Sequence, residues 1–271
     1  MKKVRTIFAF LAAAALLITP LSAYEPIEVR VNGSDTDLDA RLIGTTTYVR
    51  FDEVNELLSF GEASVSGEGG WMKASTQALS IDARSGDCYI TANERYIGGS
   101  ETITVDGLLY IPVRSIAKAY NADVTWQDDT RSVDIDAAPG EAIESGSSYY
   151  NTEDVYWLSR IIHAEANGEP MAGKVMVGNV VQNRVNSSDF PNTIYNVIFD
   201  RQHGVQFTPT VNGMIYRTPD ESSVIAAKLC LDGYSLSDSA LYFLNPAIAT
   251  SFWIVNNRPY LTTIGGHDFY S

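Results

Sequence analysis

The sequence predicts an α+β protein of two units, a small mixed α/β unit followed by a mainly helical one with a little sheet. Three observations predict this. Apolar residues recur with a period of two in short runs between residues 27 and 136, and with a helical period from residue 152 onward. Between them, residues 139–150 are rich in Pro, Gly and Ser and carry no period, which reads as a linker. The expected organisation is a leader over 1–23, a first domain over 24–138, a linker over 139–150 and a second domain over 151–271.

The chain opens with Lys2, Lys3 and Arg5, then the apolar run Ile7 to Ile18, then Pro20 and the small residues Ser22 and Ala23. That order reads as a secretory signal. The run falls short of the roughly 20 residues of a spanning helix, and no later segment is apolar enough to insert after cleavage. The expected location is outside the cytoplasmic membrane, secreted, with an uncleaved N-terminal anchor as the alternative.

In the first unit, Ile27 to Val31 alternates apolar and polar residues and runs into Asn32-Gly33, a hairpin signal. Cys88 to Thr91, Tyr96-Ile97, Val124 to Trp126 and Val133 to Ile135 read as further strands. Tyr48-Val49-Arg50-Phe51-Asp52-Glu53-Val54 is echoed 62 residues later by Tyr110-Ile111-Pro112-Val113-Arg114-Ser115-Ile116, each copy passing from a strand into a short helix. Two copies are too few for a solenoid and predict internal pseudo-symmetry. The strand, the Ile-Pro-Val-Arg turn into a helix and the Trp-containing strand that follow from Leu109 to Ala137 resemble the copper amine oxidase N-terminal-like module of exported bacterial proteins. The resemblance implies an adaptor. It implies no copper here, because residues 24–138 hold no His and one Cys.

In the second unit, Thr152 is a candidate cap, with Glu153 and Asp154 at the positive helix end. Val155, Leu158, Ile161, Ile162 and Glu165 follow at helical spacing until Asn167-Gly168 stops the helix. Further helices are expected over 171–186 and 220–231, and strands near 241–244 and 260–263. Glu165 therefore sits on an apolar stripe. Burial penalises a charged carboxylate and raises its pKa, which suits a proton donor; the alternative is a structural ion pair, with Arg160 or Arg184 available.

The segment from His163 through Ala164-Glu165-Ala166-Asn167-Gly168-Glu169-Pro170 is similar to the Ala-Glu-Ala-x-Gly-Glu-Pro signature of the SleB/CwlJ-type cell wall hydrolases. The likeness continues through Gly178-Asn179, Asn183-Arg184, Phe190-Pro191-Asn192, Gln206-Phe207-Thr208, Leu241 to Pro246 and Gly265 to Tyr270. It implies a lysozyme-like fold akin to lytic transglycosylases, peptidoglycan glycan strands as partner and substrate, and Glu165 as acid/base at the bond between N-acetylmuramic acid and N-acetylglucosamine. It implies no metal or organic cofactor. Glu169 reads as structural, bonding free amides at the start of the next helix. With no second carboxylate placed, the expected reaction is lytic transglycosylation, in which the sugar's own 6-hydroxyl closes a 1,6-anhydro ring. Gln206, Phe207, Tyr242, Asn245 and Tyr270 supply the flat faces and amides that a glycan cleft needs.

Charge and motif exclude other classes. The chain has 33 acidic and 19 basic residues, a net charge of −14, which argues against nucleic acid. The His-x-Glu of zinc deaminases recurs at His163–Glu165, but their Pro-Cys-x-x-Cys does not. His163, His203 and His267 leave open a zinc-dependent amidase, and a structural Glu165 leaves open a non-catalytic wall-binding protein. Cys88 and Cys230, one in each half, read as separate thiols, with a bridge between them left open.

Overall fold

The computed structural model describes residues 24–68, 70–202 and 204–271, so the expected leader and His203 lie outside the described residues. The protein is α+β. In the first unit the alternating segments pair as three sheets. One runs in the spatial order 25–26, 40–43, 46–50, 108–112, 103–105; a second is the meander 95–98, 89–92, 80–84, 71–75, 64–68; the third has the order 123–127, 132–136, 28–31, 34–35. Asn32 and Gly33 both take positive φ, as their tight hairpin requires.

The duplication has a geometric meaning. The two copies pair antiparallel with each other, Val49 opposite Ile111, Tyr48 opposite Pro112 and Arg50 opposite Tyr110. A pseudo-two-fold axis therefore passes through the Val49–Ile111 pair. Each strand feeds its own helix, α1 (Phe51–Leu58) and α2 (Val113–Ala119). Phe51, Val54 and Leu58 from the first copy and Val113 and Ile116 from the second share one core with Ile90, Ile97 and Ile135.

Residues 139–150 lie along this first unit. Ile143 is buried in its core and its N–H donates to Ala119 O; Asn93 bonds the Ile143 carbonyl. Ser145 caps a four-residue helix, α3 (Gly146–Tyr149). A Cβ on Gly146 would stand 2.5 Å from Glu94 O, so the chain passes there only as glycine.

In the second unit, α4 (Thr152–Ala166), α5 (Met171–Asn186) and α8 (Glu221–Leu231) pack on one another, with α6 (Ile194–Phe199), α7 (Pro209–Asn212) and α9 (Trp253–Asn257) around them. The cap of α4 is Asn151, one residue before Thr152, its side chain accepting from the N–H groups of Glu153 and Asp154. Helix α5 is buried almost all round and forms the centre. Gly178 permits this, because a Cβ there would meet Cys230 Sγ at 2.5 Å. A three-stranded sheet, 242–244, 267–270 and 260–264 in spatial order, closes one side. Cys88 and Cys230 are both free thiols. No helix among the described residues is long and apolar enough to cross a membrane.

The two units meet at Asp232, just beyond α8. Arg95 donates Nε and Nη2 to its two carboxylate oxygens at 2.8 and 3.0 Å. Lys118 reaches the same carboxylate at 2.5 Å and the Asp232 carbonyl at 2.8 Å. The Tyr150 hydroxyl donates at 3.1 Å and accepts from the Tyr96 N–H. The Asp232 side chain is 1% exposed and that of Arg95 8%. Burial alone would raise the Asp232 pKa, but the hydrogen bonds from Arg95 and Lys118 outweigh it and hold the carboxyl below its ordinary range. Removing one partner of a buried pair leaves an uncompensated charge, so Asp232→Ala should cost about 3–5 kcal/mol. Losing Glu28 from the exposed pair with Arg30 should leave stability close to the wild type, because solvent screens that pair. Urea unfolding of the two variants measures the contrast.

Candidate active site

Glu165 occupies the last turn of α4. Leu158, Ile161 and Ile162 beside it are fully buried. Its own side chain is half-buried and makes no hydrogen bond or ion pair with the described residues. Burial raises its pKa from the ordinary 4.5 to about 7. Neither arginine suggested by the sequence pairs with it. Arg160 lies 3.9 Å over the Tyr156 ring. Arg184 donates Nε to Leu241 O at 2.8 Å and is pushed down to about 10 by its own burial.

The turn carrying Glu165 is fixed by a residue that pattern reading passed over. Lys174, 3% exposed, donates to Asn167 O at 3.0 Å, Ser223 Oγ at 3.1 Å and Asp220 Oδ2 at 3.3 Å. One ammonium thus ties the end of α4 to the start of α8. Asp220 caps α8 by accepting from Ser223 N at 2.8 Å, and its own N–H donates to His163 Nδ1 at 3.3 Å. Burial opposes ionisation of Asp220, but the bonds from Ser223 and Lys174 prevail and hold its pKa well below the usual carboxylate range. A lysine inside a helix is normally an exposed residue; the signal here was its place within an otherwise apolar run.

Glu169 does not bond the start of α5 as expected. Its Oε2 accepts from Gly266 N at 2.9 Å and its Oε1 stands 3.4 Å from His267 Nδ1. The physical reason is the proline: Pro170 precedes α5 with no side-chain cap bond, and the carboxylate turns to the hairpin at 265–266 instead. A Cβ on Gly265 would collide with Glu169 Oε2, so the glycine makes room for it. His267 is buried, which lowers its pKa despite the neighbouring Glu169 and Asp268.

The five residues expected to line a glycan cleft divide. Gln206, Tyr242 and Asn245 are half-buried and keep accessible surface. Phe207, at 2%, and Tyr270, at 3%, are inside, so their rings offer no open face. Phe207 packs in the helical core, and Tyr270 sits opposite Tyr242 in the sheet. Arg184 gathers three of the five: its guanidinium lies 5.2 Å from the Phe207 ring and 5.4 Å from that of Tyr242, and Nη1 reaches Gln206 Oε1 at 3.5 Å. Asn245 stands apart, next to Gly266. Sequence reading also missed an aromatic group around Trp157, with Tyr156, Tyr195 and Phe199 at ring distances of 4.8, 5.3 and 5.1 Å. Tyr156, Tyr195 and nearby Tyr216 are exposed. Trp157 lies eight residues before Glu165, about 12 Å along the helix.

His163 and His267 serve separate places, one at the start of α8 and one against Glu169. Among the described residues no group of three or more His, Cys, Asp or Glu side chains is placed to hold a metal ion.

The chain is 32% identical over 111 residues to the cell wall hydrolase CwlJ of Oceanobacillus iheyensis and spans 77% of that protein's length. The chain belongs to the cell wall hydrolase family. The family's profile, described as Cell Wall Hydrolase, matches residues 168–270, beginning three residues after Glu165. A second profile, the copper amine oxidase N-terminal domain, matches residues 30–135. Over 120 residues the chain is 39% identical to a spore cortex-lytic enzyme of Bacillus cereus, covering 44% of this chain and 45% of that one. It therefore spans less than half the length of that relative. A solved structure described as the catalytic domain of the germination-specific lytic transglycosylase SleB from Bacillus anthracis is 36% identical; the match covers 48% of this chain and all of that one, with a TM-score of 0.41.

The raised pKa of Glu165 has a stability consequence with a definite sign. A carboxyl whose folded pKa lies above its unfolded value favours folding fully below about pH 4.5, and that contribution fades as pH rises through about 7. The shift corresponds to about 3 kcal/mol. Glu165→Gln removes the titration. The variant should match the wild type near pH 4 and exceed its stability by about 2–3 kcal/mol at pH 8, as denaturant midpoints at the two pH values will record.

Proposed function

We propose that this protein cleaves the glycan strands of peptidoglycan at the bond between N-acetylmuramic acid and N-acetylglucosamine, as a lytic transglycosylase with Glu165 as the acid and base. The observation that carries the proposal is the half-buried, unpartnered carboxyl of Glu165, with its pKa raised to about 7. Family membership and the names of the relatives, spore cortex-lytic enzymes and cell wall hydrolases, support the substrate class.

A carboxyl that stays protonated near neutral pH can give its proton to the glycosidic oxygen as the bond breaks. The carboxylate left behind then takes the proton of the muramic acid 6-hydroxyl while that oxygen bonds to the anomeric carbon. The products are a free N-acetylglucosamine end and a 1,6-anhydro ring, and Glu165 is again protonated. Hydrolysis by either common route needs a second carboxylate, about 5–5.5 Å away for retention or about 6.5–9.5 Å for inversion. Of the carboxylates near the end of α4 that carries Glu165, two have other work, and Glu221 beside Asp220 is turned to solvent. Glu169 holds the 265–266 turn and Asp220 caps α8. Asp232 is locked between the units, and Glu153 and Asp154 lie at the far end of α4. The exposed rings near Trp157 and the half-buried Tyr242 are of the type that stacks on sugar faces. The expected leader fits an activity outside the cytoplasmic membrane, where peptidoglycan lies.

Glu165→Gln keeps the shape and removes the proton. It should lower the clearing of a peptidoglycan suspension at least about 100-fold, in line with the loss of a general acid. Wild-type activity should fall as pH rises through about 7. Mass spectrometry of the digest should show 1,6-anhydro ends. Reducible ends would mean that water attacks, and released peptides would mean an amidase.

A further inference from the structure

The first unit holds a cavity of about 670 Å³ outside the site described above. That is within the size range of pockets that enclose small ligands. It lies between α2, the 44–47 turn, the end of strand 95–98 and the strands 123–127 and 132–136. Its open apolar lining is Leu42, Val124 and one indole, Trp126, with the buried Ile97, Val113 and Val133 behind them. Hydroxyls of Thr45, Thr46 and Ser100 stand at the edge, together with the cations Arg114 and Lys118.

The charge of this groove is opposite to that of its surroundings. Residues 24–138 carry 20 acidic and 9 basic residues, yet none of the residues lining the groove is Asp or Glu. The internal repeat supplies a control. A second groove, of about 580 Å³, borders the counterpart helix α1 and is lined by Asp37, Glu53 and Glu56. With the 62-residue offset, Asp52, Glu53 and Glu56 correspond to Arg114, Ser115 and Lys118. The same positions of the same helix have thus become acidic in one copy and basic or neutral in the other. Lys118 is already bound to Asp232. Arg114 is exposed and makes no ion pair among the described residues; its Nη1 donates to Val124 O at 3.0 Å, which holds the guanidinium over the groove's edge. Trp126 is held by a 2.7 Å bond from Nε1 to Asp128.

We propose that this groove binds a short peptide with small apolar side chains and a free carboxylate. Arg114 would take the carboxylate in a charge-assisted, two-pronged hydrogen bond. The aliphatic walls and the Trp126 ring would cover methyl groups. A glycan strand fits less well, because one indole offers a single flat face and the remaining walls are alkyl. The peptide branches of peptidoglycan have this chemistry. Naming them as the source rests on the wall-directed function proposed above, whereas the binding does not.

The test is calorimetric titration of the full chain with acetyl-trialanine bearing a free carboxylate. Saturable binding is expected. It should weaken at least about tenfold with the C-terminal amide, with Arg114→Gln, or with Trp126→Ala, as loss of a charge-assisted bond or of the ring contact implies. Arg114 is exposed, so Arg114→Gln should unfold at the wild-type temperature, which keeps loss of binding separate from loss of fold. The proposal is overturned by no saturable binding, by equal binding of acid and amide, or by chitotetraose binding that Trp126→Ala removes. It is also overturned if the wild-type chain self-associates through this face and Arg114→Gln makes it monomeric. None of these results changes the outcome expected for Glu165→Gln, so the two readings fail separately.

Discussion

An unpaired carboxyl is costly to hold in the last turn of an apolar helix, and the helical unit is organised around keeping it there. A half-buried glutamate could relax by fraying the helix end or by swinging towards a cation. Both routes are closed. The last turn of α4 is fastened through Asn167 O to Lys174, and Lys174 is fastened to the cap of α8. Arg160 and Arg184 are committed to aromatic rings and to a backbone carbonyl. Glu165 is left with burial as the dominant influence on its proton, and burial favours the neutral acid.

The same principle, a buried charge made tolerable by fixed partners, joins the two units. Asp232 is satisfied by Arg95, Lys118 and Tyr150. Two of these come from the first unit and the third from the segment between the units, so one carboxylate anchors both at the end of α8. Tyr234 adds to this by packing on Gly98 and bonding Gly99 O. The first unit is therefore held on the back of α8 in a set orientation, whereas a tethered adaptor would have no such contact. Lys118 takes part in this interface and also lines the groove in the first unit.

Much of this was legible in the sequence, for identifiable reasons. The helix over 152–166 follows from apolar period and a cap, which are local, and that over 221–231 from its Asp220 cap; α5 is buried almost all round and has no side-chain cap, so its run of helix formers between Pro170 and Ser187 carried it instead. The repeat was legible because strand and helix recur together, and its pseudo-two-fold axis explains why two copies are enough. Glu165 was legible as a carboxylate on an apolar stripe. What stayed hidden depends on contacts distant in the chain. Nothing near Lys174 announces that Asp220 and Ser223 will meet it, and nothing near Asp232 announces Arg95. Phe207 and Tyr270 show the same limit from the other side. Their type suits a cleft wall, but a fully buried ring and a cleft ring look alike in sequence, and packing placed these two inside. Glu169 was assigned to the nearest free amides, whereas the turn at Gly265-Gly266, almost a hundred residues away, receives it.

The central claim is that burial keeps Glu165 protonated near neutral pH without help from a partner. The direct measurement is a carbon-13 NMR titration of the glutamate carboxyls, with the Glu165 signal assigned by its loss in Glu165→Gln. A midpoint near pH 7 is the result this account predicts. A midpoint near the ordinary 4.5 would show a solvated or paired carboxylate and would contradict it.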